Sequence, residues 1–227
     1  MKRTIEITAD GSPTVSIPEM KVSYHSKHGA VQESLHVFIN AGLNVAFERF
    51  QKENIHVFEM GFGTGLNALL TMQYAEKLNR KLYYYAVERF PLVKEEYEQL
   101  GYDAKPTLMQ LHEADWEKDV AINEFFVLHK TQCALVHAKP EKKVHLVYFD
   151  AFAPSAQPEL WTKEIFELMY TLLVDEGILV TYCSKGDVRR AMIAAGFVVE
   201  KLQGPPGKRE MLRAVKLNKV VAVEESR

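Results

Sequence analysis

A chain of 227 residues, 47% hydrophobic and 26% charged, has the make-up of a water-soluble globular protein with room for a sizeable core. Its formal net charge of -2 excludes a general attraction to nucleic acid or anionic membrane, so any phosphate binding has to be local. Cys133 and Cys183 lie far apart without metal-ligand spacing, no segment approaches the ~20 apolar residues of a membrane span, and "MKRTIEITADGS" lacks the apolar region of a signal peptide. The expectation is a cytoplasmic protein with reduced thiols, no metal and no membrane association.

In chain order, "RTIEIT" and "PTVSIP" flank "ADGS", whose Asp-Gly predicts a hairpin. Leu35, Phe38, Ile39, Leu43, Ala46, Phe47 and Phe50 have helical spacing. From Ile55 a βα alternation is expected: "IHVFEM" as strand, "LNALLTMQYAEKLN" as helix, "KLYYYAVE" as strand, and "PLVKEEYEQL" as a helix opened by Pro91. "TLMQLHEAD" reads as a shorter strand, followed by a helix near "DVAINEFFVLHKT". "KVHLVYFD" is a buried strand, "PELWTKEIFELMYTLLV" a helix with Gly177 beyond its end, "GILVTYC" the fifth strand, and "KGDVRRAMIAAG" a helix ended by Gly196. "FVVEKLQ" and "REMLRAVKL" flank "GPPGK" with no helix between them, so they should pair as a hairpin. The pattern predicts an α/β fold with a mostly parallel sheet, a C-terminal antiparallel hairpin, and an N-terminal extension of hairpin and helices.

The stretch "FEMGFGTGLNALL" places Gly61, Gly63 and Gly65 between a strand and a helix, where glycines let backbone amides approach a ligand. A phosphate-binding P-loop requires Lys-Ser/Thr after its last glycine, but Leu66 and Asn67 stand there. The dinucleotide fingerprint requires its third glycine at position 66, which is Leu66. Glu59, two residues before the first glycine, would repel a pyrophosphate and favour a cationic ligand. S-adenosylmethionine, with an ammonium, a sulfonium and no phosphate, fits; a plain tight turn is the bland alternative.

Glu88 ends the next strand, where a carboxylate can accept both ribose hydroxyls, although this does not separate the two cofactors. Asp115, beside Trp116, can accept from an adenine amino group while the indole packs on the ring, or can simply cap a helix. Asp150 ends "VYFD", at the strand edge where open α/β sheets place their chemistry. Methyltransferases of base amino groups carry Asn/Asp-Pro-Pro-aromatic at this point, whereas this chain has Asp-Ala-Phe-Ala-Pro. A lone carboxylate suits an aliphatic amine, which has a pKa near ~10 and must shed a proton before attacking a methyl.

"FEMGFGTGLNALL", "YFDAFAPSAQPELWTKEIF", "LVTYCSKGDVRRAMIAAGF" and "GPPGKREMLRA" resemble the methyltransferase half of the MnmC family of bifunctional tRNA-modification proteins, and its stand-alone MnmD or DUF752 relatives. "SYHSKHGAVQESLHVFINAGL" is similar to the family's segment before the glycine loop, and the resemblance spans roughly residues 20 to 215. It implies a class I S-adenosylmethionine-dependent methyltransferase sheet over 55–217, an extension over 1–54 and a tail over 218–227. The implied reaction is methylation of the aminomethyl nitrogen of a modified wobble uridine in tRNA, without the FAD-dependent oxidase half, by a monomer. By the resemblance, Glu59, Gly61, Gly63, Gly65 and Asn67 belong to the cofactor loop, Glu88 to the ribose, and Asp115 with Trp116 to the adenine. Asp150 matches the acid at the site of transfer, with Phe152 and Pro154 shaping its pocket, and Tyr24, Ser26 and Glu33 fall in a segment that closes over cofactor or substrate. Lys185, Arg189, Arg190, Lys208 and Arg209 are candidates for tRNA phosphates, each with a solvated face as the alternative. Two other classes stay open: a small-molecule amine methyltransferase or aminopropyltransferase, and a non-catalytic RNA-binding module.

Overall fold

The chain was analysed as a computed structural model, which describes residues 2–102 and 104–217; the tail expected over 218–227 lies outside them. β1 (Thr4–Ile7) and β2 (Pro13–Ile17) form the expected hairpin, and β3 (Val22–Ser23) adds a third antiparallel strand. Asp10 of the hairpin turn reaches another element: its Oδ2 accepts from the backbone N–H of Gln32 at 3.0 Å. Thr8 and Ser12 hydroxyls accept from the Ala30 N–H at 3.1 and 3.2 Å. These groups satisfy the first turn of α1 (Ala30–Ser34), whose own N-cap Gly29 has no side chain to offer. α1 continues through a π-helical stretch, Leu35–Asn44, into α2 (Val45–Arg49).

The alternation then runs β4 (Ile55–Met60), α3 (Leu66–Lys77), β5 (Leu82–Val87), α4 (Lys94–Tyr97) and α5 (Lys105–Glu113). It continues through β6 (Asp119–Ala121), β7 (Phe126–Thr131), β8 (Val144–Phe149), α6 (Lys163–Leu172), β9 (Leu173–Thr181), α7 (Gly186–Ala194), β10 (Val198–Gln203) and β11 (Glu210–Val215). The strands from β4 onward form one sheet in the order β10-β11-β9-β8-β4-β5-β7-β6, with the five from β9 to β7 parallel. The C-terminal hairpin pairs antiparallel as expected, β11 lying between β9 and β10. This is the class I methyltransferase arrangement.

Two-residue alternation along the strands divides the core. Val57, Tyr84, Leu146 and Tyr148 meet the π-helical stretch, α3 and α5 on one face, and Phe58, Tyr85, Val147 and Phe149 meet α6 and α7 on the other. Gly42 lets the π-helical stretch lie close on the sheet, since a Cβ there would stand 3.0 Å from Val180. Among the described residues no helix is long and apolar enough to cross a membrane.

The region 91–131 corrects the sequence reading. "TLMQLHEAD" is mostly the helix α5, whose Leu108, Leu111 and His112 are buried at helical spacing. The helix expected near "DVAINEFFVLHKT" is the hairpin β6–β7. α4 begins at Lys94, three residues after Pro91, and Gly177 lies inside β9. Lys130, fully buried on β7, donates to the Leu111 and His112 carbonyls at 2.8 and 2.7 Å and thereby closes the C-terminal end of α5.

Candidate active site

β4 has β5 on one side and β8 on the other, so strand order reverses there and a crevice opens at the strands' C-terminal ends. The loop after β4 takes positive φ at Gly61 (90°), Gly63 (50°) and Gly65 (72°), a path L side chains rarely follow. A Cβ on Gly63 would stand 3.0 Å from the ring of Tyr24. Its N–H donates to Glu88 Oε2 at 3.0 Å, while Glu88 Oε1 accepts from the Phe90 N–H at 2.8 Å. The carboxylate at the end of β5 is thus fixed against the glycine loop. Gly65 does not line the crevice; it starts α3, packed against Phe62 and His112.

The crevice holds about 780 Å³ and is lined by Gly61, Gly63, Asn67, Glu88, Asp150 and Phe152 among the expected residues. That volume is ordinary for a small-molecule site of ~300–1,000 Å³. The N-terminal strands roof it with Ile17, Tyr24 and His25. Arg3 holds the roof down, donating to the Phe90 and Pro91 carbonyls at 2.6 and 3.2 Å and pairing with Glu96 at 2.9 Å. Tyr24 meets Phe152 edge-on, with ring centroids 5.2 Å apart.

Asp150 follows β8 and accepts from Asn67 Nδ2 at 3.0 Å. Burial first, and then the charge of Glu33, push its carboxyl up to about 7, against the Asn67 hydrogen bond and the Lys208 charge. The following loop is clamped: the Phe152 N–H donates to Gln157 Oε1 at 3.0 Å, and Trp161 Nε1 donates to the Phe152 carbonyl at 2.8 Å. Sequence reasoning missed Gln157 and Trp161 as clamps, although both stand in the quoted "AQPELW". Pro154 lies in the turn after Phe152, outside the cavity lining.

Several expected residues stand elsewhere. Glu59 shares the face of Val57, so it points under α3 and does not line the crevice. Its carboxyl is buried without a hydrogen-bond partner, and burial raises its pKa well above the usual value. Burial disfavours its charged form, which weakens the attraction for a cation expected of it. Asp115 is exposed beyond α5, paired with Lys118 at 3.0 Å, and Trp116 packs with Phe62 under the Lys130 ammonium; neither lines the crevice. The loop after β7, residues 132–136, lines it instead; Phe126 and Leu128, two apart, were the apolar signal for β7, and Lys130 at the next core position obscured it. Glu33 is buried, accepting from the Ser26 N–H at 2.7 Å and pairing with Lys208 at 2.5 Å. Lys208 is therefore turned inward and not free for a phosphate. Lys185, Arg190 and Arg209 are exposed and Arg189 is half-buried, none of them at the cavity.

A family model described as S-adenosyl-L-methionine-dependent methyltransferase matches residues 79–217. The chain is 33% identical over 208 residues to the tRNA 5-methylaminomethyl-2-thiouridine biosynthesis bifunctional protein MnmC of Ectopseudomonas mendocina, covering 83% of this chain and 31% of that protein. The protein of the same name from Pseudomonas paraeruginosa is 29% identical over 215 residues, covering 83% and 31%. The chain thus spans about a third of the length of these relatives. In fold it is similar to MnmC2 of Aquifex aeolicus, with a TM-score of 0.81 at 24% identity over 99% of this chain and 75% of that one. A spermidine synthase from Thermotoga maritima shares the fold at a TM-score of 0.58 and 11% identity, over 94% and 68%. With the glycine loop, the strand-end carboxylate and the sheet order in place, the chain belongs to the S-adenosyl-L-methionine-dependent methyltransferase family.

Proposed function

We propose that this methyltransferase acts on the aminomethyl nitrogen of a modified wobble uridine in tRNA, as a monomer in the cytoplasm and without FAD or metal. The observation that carries the reading is Asp150: one carboxyl at the mouth of the sheet, hydrogen-bonded to Asn67 and held near neutral pH. A proton acceptor is most effective when its pKa lies near the working pH. The names of the MnmC relatives supply the acceptor class.

The crevice suits the donor. Glycines at 61 and 63 keep its wall thin, Glu88 offers the strand-end carboxylate, and the loop after β7 closes the far end. Gly61, Gly63 and Glu88 would hold S-adenosylmethionine, which would supply an electrophilic methyl to the acceptor nitrogen's lone pair, the electrons of the methyl–sulfur bond staying on sulfur. Asp150 first attracts the acceptor's ammonium and then takes the proton the nitrogen loses. Tyr24 and Phe152, edge to face, exclude water from one side of that step.

The test is nucleoside mass spectrometry of tRNA incubated with the protein and labelled S-adenosylmethionine. Label should appear on an aminomethyl uridine and vanish when the tRNA is digested beforehand with RNase. Label on small amines in preference to tRNA would replace this reading with a small-molecule transferase.

A further inference from the structure

Three segments far apart in sequence meet one another and, through Tyr182, reach the backbone of Ala151, the residue after Asp150. α1 contributes Glu33, buried, with both carboxylate oxygens engaged. The turn between β10 and β11 contributes Lys208, whose ammonium also lies 3.8 Å from the ring centroid of Tyr182. Tyr182 follows β9 and donates its hydroxyl to the carbonyl of Ala151, next to Asp150, at 2.8 Å. The turn is seated firmly. Gly207 has φ 83° and packs on His28 so closely that a Cβ would collide with the ring, and the Gln203 carbonyl meets His36 Nε2 at 2.8 Å.

Glu33 is buried and Lys208 half-buried, and a pair so placed rarely adds much stability by itself, because desolvation offsets the attraction. The placement of this pair next to the transfer site points to chemistry. We propose that Glu33 and Lys208 are positioning residues that together leave Asp150 able to take the acceptor's proton. Glu33 adds a second negative charge that draws an ammonium-bearing acceptor, and Lys208 keeps that charge from forcing a proton onto Asp150.

The surroundings of Asp150 support this. The Glu33 charge raises its pKa and the Lys208 charge lowers it. From α3, Asn67 donates a neutral hydrogen bond. From β4 and β5, burial disfavours the charged forms of Glu59 and Tyr84, and it does the same for Tyr182 beyond β9. Without Lys208, two carboxylates would face each other and one would hold a proton at neutral pH. The proton balance is simple: the amine's proton passes to Asp150 and then to water, while Lys208 keeps its own.

The inference rests on Asp150 being the proton acceptor, so its test uses two readouts. The first needs no acceptor: carboxyl ¹³C titration of Asp150 in the free full-length protein, assigned by the signal lost in Asp150→Asn. Relative to wild type, Lys208→Met should move this titration up by about one pH unit, in the range of ~1–3 units for a nearby charge. Glu33→Gln should move it down, and Lys208→Arg should restore it. The second readout is the acidic limb of kcat/KM on aminomethyl-bearing tRNA, which should move with the titration. Lys208→Met should then lose about fivefold at pH 7 and recover most of it by pH 9.

Unmoved or same-direction shifts in Lys208→Met and Glu33→Gln would overturn the inference. So would a loss in either variant that is equal at every pH. If Lys208→Met fails to fold, the downward shift in Glu33→Gln and its absence in Lys208→Arg carry the test alone. A titration that moves as stated in a protein that methylates no tRNA would sink the proposed acceptor and leave this inference standing.

Discussion

Asp150 combines a neutral hydrogen bond, a half-buried place in the crevice and two opposed charges. Asp150→Asn keeps the shape and a carbonyl acceptor but removes basicity and charge. Turnover is expected to fall by ~10²–10⁴-fold, with S-adenosylmethionine affinity nearly unchanged. The same substitution has a signature in stability. A carboxyl raised to about 7 when folded contributes stability that is full below its unfolded pKa of ~3.9 and is lost as pH rises through 7. Wild type should therefore lose ground to the Asn variant between pH 4 and 7, and the gap should level off above. Urea denaturation of both at pH 5 and pH 8 checks this. A gap that does not change between the two pH values would mean that Asp150 is ionised throughout.

At the level of elements, the N-terminal hairpin and α1 are joined by Asp10. Burial pushes the Asp10 carboxyl up, but hydrogen bonds from Ser12, Gln32 and Thr8 outweigh it and hold the group at about 2. Asp10→Ala should cost about 0.5–2 kcal/mol, the usual range for a lost helix cap. Because the folded pKa is depressed, that contribution is present above the unfolded ~3.9 and fades as pH falls through 2. Equal denaturation midpoints for wild type and variant at pH 7 would remove Asp10 from the cap. The hairpin was legible because Asp-Gly announced its turn, but a sequence does not say that the turn will also cap a helix 20 residues on. The strands flanking the glycine loop and Asp150 were legible as long apolar runs bounded by turns. β7 was not, because Lys130 stands at a core position of its alternation and its partners, two carbonyls and two rings, come from other elements. Misreading β7 carried Asp115 into the adenine site and left out the loop at residues 132–136. Glu59 misled for a related reason: its position in the motif was clear, but its side chain's face depended on the register of β4.

For the whole molecule, a net charge of -2 means that the proposed tRNA binding has to rest on local cations. Lys185 and Arg209 are exposed, whereas Lys208 is committed to Glu33. Replacing Lys185 and Arg209 by Glu should weaken tRNA binding and flatten its log–log dependence on salt by about one per lost phosphate contact. Lys208→Met should leave that slope alone. Filter binding across a salt series separates the two, and a slope unchanged by the double replacement would assign Lys185 and Arg209 to a solvated face.

On a ribosome, the glycine loop and Asp150 emerge well before the turn that carries Lys208, whose partner Glu33 lies 175 residues earlier. At about 5–20 residues per second, the nascent chain spends several seconds with Asp150 and Glu33 made but their cation still unsynthesised. β11, which must insert between β9 and β10, seats that turn as it pairs. Assembly of the site therefore waits for the turn that carries Lys208, and a chain made only as far as Asp150 holds the glycine loop without that cation.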